Sequence, residues 1–203
     1  MKTPSSRGRQ AWQEMDLLGM LRRPAGAGKP SVNKFLLVLL SEEQYIKRLY
    51  DIVKSVEKSG TRICYVCVSR PYKDVVAELK RSGVYTKFFF FIDVLSSHYG
   101  KPEPRKDCVF LDSPKDLDAI RRTIEHAIEK NKCTVILFDT LSNLLVYQEN
   151  FPILKFAHSL TLEKGEDVMK LFLIMKDNPV LERENRELIS DLSMFADRTV
   201  ELE

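Results

Sequence analysis

No stretch of the 203 residues stays apolar for the roughly 18–20 positions that a bilayer crossing needs. The longest runs, Phe35–Leu40 and Phe88–Ile92, have the length of core strands. No apolar leader region opens the chain, so the expected compartment is the cytoplasm. Cysteine is scarce, with four residues that set no disulfide framework, and the three histidines lie far apart, so no metal and no cofactor are expected. There is no internal repeat. The formal charge of +3 is too small to imply a nucleic-acid partner by itself.

What is present fits one α/β domain with a tail, because 44% hydrophobic and 30% charged residues suit a globular chain of this length. The charge is uneven. Residues 1–34 carry seven cations against Glu14 and Asp16, a balance of +5, which leaves −2 on residues 35–203. Met1 to Arg9 has little to bury and reads as disordered. Trp12, Met15 and Leu18 then recur at about helical spacing, which predicts a short amphipathic helix. Three destinations suit such a stripe: the chain's own sheet edge, a protein partner, or a membrane surface. Residues 22–30, rich in Pro and Gly, read as a linker to the domain at 35–203.

Within that domain, strands are predicted at Phe35–Leu40, Arg62–Val68, Phe88–Ile92, Cys108–Leu111, Leu171–Met175 and Thr199–Leu202. Ser41-Glu42-Glu43-Gln44 fits a capping box that opens a helix with an apolar face at Tyr45, Ile46, Leu49, Ile52, Val53 and Val56, stopped at Gly60. Further helices are expected from Pro71 to Gly83, from Ser113-Pro114 onward, over Phe151–Leu162, and after Asn178-Pro179. Ser96–Asp107 reads as a polar loop or flap. Strands alternating with helices at this spacing predict three α/β/α layers around a mainly parallel sheet.

The stretch from Cys133 to Phe138 is apolar without alternation, as a parallel strand covered on both faces requires, and it ends at Asp139. Ligands of open α/β sheets gather at the carboxyl ends of such strands, which makes Asp139 the first candidate site residue. The alternative role is capping of the next turn by Asp139 or Thr140. Cys64 and Cys67 have CxxC spacing, yet residues three apart on a strand point to opposite faces, so they read as core thiols. The Phe88–Phe91 run has no interleaved basic residues and reads as core, not as a platform for bases.

The order of these pieces resembles the RecA superfamily, in particular its KaiC-type archaeal and bacterial branch. The carriers are the strand from Thr61 to Ser69, the segment Asp112-Ser113-Pro114-Lys115-Asp116-Leu117, the strand through Asp139 with Thr140-Leu141-Ser142, and the closing run from Phe195 to Leu202. By this resemblance Asp139 ends a Walker B strand. ATP hydrolysis in the family needs a glycine-rich loop with a lysine right after the first strand, and here that place is taken by Ser41-Glu42-Glu43-Gln44-Tyr45. The family's carboxylate base falls at Ser69-Arg70, and neither residue can serve as one.

The expectation is therefore a domain without ATPase chemistry that acts as a regulatory or scaffolding protein of signal-transduction type. Its expected partner is a protein, entered through the tail at Trp12, Met15 and Leu18, or a second copy of the chain in a homo-oligomer. An alternative is an atypical nucleotide or small-ligand cleft in which Ser41, Arg70, Asp93, Asp139 and Lys176 converge at strand ends. A third reading, a nucleic-acid accessory protein, relies on the +5 tail alone.

Overall fold

Seven short runs dominated by branched and aromatic side chains form the strands of one sheet in the computed structural model, which describes residues 35–57, 61–162, 168–178 and 180–202. The strands are β1 (Phe35–Leu40), β2 (Ile63–Cys67), β3 (Phe89–Asp93), β4 (Cys108–Phe110), β5 (Val135–Asp139), β6 (Met169–Met175) and β7 (Arg198–Leu202). Their order is β4-β3-β2-β5-β6-β1-β7, and each neighbouring pair is parallel. The expected tail helix at Trp12, Met15 and Leu18, the linker at 22–30, the stop at Gly60 and Pro179 all lie outside the described residues.

A parallel sheet must be covered on both faces, and the chain supplies a helix for each crossover except that from β3 to β4, which is a loop with a short 3-10 turn at Ser96–Tyr99. Helices α1 (Tyr45–Glu57) and α2 (Tyr72–Arg81) cover one face, where Leu49, Ile52, Val53, Val75 and Leu79 meet Leu36, Val38, Leu40, Tyr65 and Leu137. Helices α3 (Leu117–Glu129), α4 (Asn150–Leu162) and α5 (Glu182–Ser193) cover the other. There Ile120, Ile124, Ile153, Leu188 and Leu192 meet Leu37, Val66, Phe138 and Phe172. Both faces being apolar explains why β1, β2, β3 and β5 are buried at each position. Cys64 and Cys67 fall in opposite layers, as their spacing on a strand dictates, and all four cysteines are buried free thiols.

Several boundaries differ from the sequence reading for identifiable reasons. Residues after Ser41 form a turn, with the Gln44 N–H donating to the Ser41 carbonyl at 3.2 Å, and the helix begins only at Tyr45. Ile46, expected inward, is 41% exposed, because the face is set by Leu49, Ile52, Val53 and Val56. Phe88 is not part of the third strand. It closes a 3-10 turn, Thr86–Phe88, and the strand runs to Asp93 instead. The third helix starts at Leu117, where Asp116 accepts a hydrogen bond from Ala119 N–H at 2.8 Å, while Ser113 caps only the preceding turn by accepting from Lys115 N–H at 3.1 Å. Asp116 is the better acceptor because it is charged and stands next to the positive end of the helix.

Candidate functional site

The carboxyl ends of β2 and β5 meet at Asp139, whose register partner is Cys67. The junction is fastened through the backbone. Val68 N–H and Ser69 N–H both donate to the Asp139 carbonyl, at 3.0 and 2.9 Å, and the Thr140 N–H and the Asn143 side-chain amide donate to Ser69 Oγ at 2.8 and 3.0 Å. The peptide between Asp139 and Thr140 is cis.

The Asp139 side chain is fully buried on the face covered by α1 and α2, and its oxygens are engaged from within the protein. Tyr45, the first residue of α1, donates its hydroxyl to Oδ1. Tyr65 donates to Oδ2. Arg70 brings Nη2 to 3.8 Å from Oδ2, with its guanidinium 5.8 Å from the centre of the Tyr45 ring. Tyr65 reaches Asp139 along a diagonal, since its own register partner is Leu137 and a tyrosine is long enough to bridge to the next residue on the same face.

Burial and charge shift the groups of this cluster. Burial and the neighbouring Asp139 carboxyl push both Tyr45 and Tyr65 well above the ordinary phenol range, so they remain donors at neutral pH. Burial raises Asp139, against the opposing pull of the two hydroxyls and of Arg70. Burial alone would lower Arg70, but Tyr45 and Asp139 outweigh it and its pKa is raised.

The same burial predicts an alkaline instability. Burial holds Cys133 at about 11 against an ordinary thiol value of 9.0, although Arg62 pulls the other way. A group with a raised folded pKa binds its proton more tightly when folded, so its contribution is complete below the unfolded value and fades as pH rises through the folded one. The urea midpoint is therefore expected to fall progressively above pH 9.0, with Cys133 contributing a slope of up to about 1.4 kcal/mol per pH unit. A midpoint that stays constant from about pH 8 to pH 11 would contradict this.

Of the five cleft candidates, the structure brings together Asp139 and Arg70. Ser41 lies at the end of β1, two strands from β5, with its carbonyl closing the turn to Gln44. Lys176, just past β6, is paired with Glu201 of β7. Asp93, fully buried at the end of β3, accepts from Tyr72 N–H at 2.7 Å, Leu95 N–H at 2.8 Å, and the N–H and hydroxyl of Ser96 at 2.9 and 2.5 Å. Tyr45 and Tyr65 were not apparent as site residues in the sequence. Their signal was a tyrosine at each of two otherwise apolar positions, facing the layer that Asp139 also faces.

Among the described residues, no three of His, Cys, Asp or Glu cluster to hold a metal ion, and no helix is long and apolar enough to cross a membrane. His98, His126 and His158 are exposed.

No protein-family model matches the chain, and no curated protein matches its sequence. Solved structures do share its fold. The KaiC-like protein PH0186 of the hyperthermophilic archaeon Pyrococcus horikoshii OT3 has a TM-score of 0.57 at 13% identity, over 84% of this chain and 72% of that one. PH0250 of the same organism has a TM-score of 0.57 at 14% identity, over 84% of this chain and 82% of that one. The chain therefore has a RecA/KaiC-like α/β fold.

Proposed function

We propose that this RecA/KaiC-like domain is non-catalytic and acts as a regulatory or scaffolding component, of signal-transduction type, through protein contacts. The observation that carries the proposal is the internal saturation of Asp139 by the Tyr45 and Tyr65 hydroxyls with Arg70 alongside. Magnesium held there would have to displace a guanidinium and two phenols, so the residues present do not fit the metal that the fold implies. Arg70 supplies, as a fixed part of the chain, the positive charge that a metal would bring.

Two further features support the same reading. Glu42 and Glu43 are exposed in the turn after β1, where a polyphosphate would need positive potential, and their like charge opposes it. Ser69 is committed as an acceptor to Thr140 and Asn143, and Arg70 cannot accept a proton from water at neutral pH.

Incubation of the purified chain with Mg-ATP is expected to release no phosphate above background. Release that Asp139→Asn abolishes would overturn the proposal, because it would make the buried carboxylate part of a working hydrolytic site.

A further inference from the structure

A cavity of about 450 Å³ opens between the amino end of α2 and the loop joining β3 to β4, within the roughly 300–1,000 Å³ typical of small-ligand sites. Its rim combines two kinds of side chain. Lys73, Lys101 and Arg105 supply three cations, opposed by the single carboxylate of Glu103. Tyr72, Tyr99 and Phe110 supply three rings.

The rings differ in how firmly they are held. Tyr72 is fixed at both ends: its N–H donates to Asp93 at 2.7 Å and its hydroxyl to Asp107 at 3.0 Å. Its ring makes edge contacts with Phe91 at 5.1 Å and Phe110 at 5.9 Å. Tyr99 is 85% exposed, so core packing does not account for an aromatic residue there. Gly100 follows it with a φ of +141°, a backbone conformation that side chains strain to adopt.

The cations are also available. Lys73 and Lys101 have no carboxylate partner among the described residues. Arg105 makes, among the described residues, one ion pair, an exposed contact with Glu103 at 3.6 Å, of a kind worth little in water and readily exchanged for a phosphate. The balance of these four charged groups is +2, which matches a phosphate monoester of about −2 more closely than a triphosphate.

We propose that this cavity binds a small aromatic phosphate of the nucleoside monophosphate class, its phosphate met by Lys73, Lys101 and Arg105 and its base laid against Tyr99 and the fixed Tyr72–Phe110 pair. Asp93 is then a positioning residue, since it holds the first residue of α2 and the start of the loop in one geometry. The site lies on the far side of β2 from Asp139 and is independent of whether that carboxylate is catalytically silent.

The test is a titration of the full chain with AMP, followed by amide chemical shifts. Saturable shifts are expected at Lys73, Tyr99, Gly100 and Phe110, with adenosine and inorganic phosphate each binding more weakly than AMP. Lys73→Ala combined with Lys101→Ala changes two exposed residues and is expected to weaken AMP binding about tenfold or more while leaving thermal unfolding unchanged. Added salt should weaken the wild-type interaction. The proposal is overturned by an absence of shifts at millimolar AMP, by shifts centred on Tyr45 and Arg70, or by equal affinity in the double variant. Displacement of AMP by a single-stranded oligonucleotide at far lower concentration would also overturn it, by identifying a polymer and not a mononucleotide as the occupant.

Discussion

Asp139→Ala is expected to lower the unfolding free energy by about 3–5 kcal/mol, the loss that follows when one member of a buried ion pair is removed. Two hydroxyls and a guanidinium converge on this carboxylate, and alanine leaves all of them facing a cavity. The side chain of Arg70 is 23% exposed, so water recovers part of its solvation and places the loss toward the lower end. Asp139→Asn keeps the volume and two polar atoms, and its cost should be nearer about 1–3 kcal/mol. Urea denaturation of the two variants checks the order. If both unfold like the wild type, Asp139 is not held by the cluster, and the argument that it is unavailable to a metal fails with it.

Phe172→Ala is expected to be comparably severe, at about 3–5 kcal/mol, for a different reason. Phe172 is fully buried on β6 and joins two aromatic pairs, with Phe35 at 4.9 Å and Phe138 at 5.1 Å, both edge-on. Phe138 in turn meets Phe156 of α4 at 5.6 Å, so the ring at 172 links the centre of the sheet to the helices that cover it. Removing it leaves a void among side chains already engaged with one another, which limits collapse. Phe172→Leu should recover most of the loss. Because Phe138 and Phe172 touch, their alanine variants should not be additive, and a double-mutant cycle would measure the coupling.

The strand skeleton was legible in the sequence because a parallel sheet buried on both faces leaves a simple trace: short apolar runs without alternation, separated by helical periodicity. Asp139 was legible as an acid ending such a run. Its partners were not, because Tyr45 and Tyr65 lie 94 and 74 residues away in the chain and reach it only through the register of β2 on β5 and the packing of α1. Local rules also misplaced the first turns of two helices. Ser41 and Ser113 each precede a favourable helix-start pattern, but in both places the chain spends three further residues in a turn first. Asp93 looked like Asp139 in sequence, an acid closing an apolar strand. What separates them is the following loop, whose N–H groups at Leu95 and Ser96 satisfy Asp93 locally.

The strand order has a consequence for how the chain is made. Among the described residues β1 is the first strand to leave the ribosome, yet both of its neighbours, β6 and β7, come after the other strands. At about 5–20 residues per second, Leu40 waits roughly 7–27 seconds before Met175, its register partner, has been synthesised. Throughout that interval the nascent polypeptide carries Phe-Leu-Leu-Val-Leu-Leu with no strand beside it, and that half of the sheet can close only once β6 and β7 have been made.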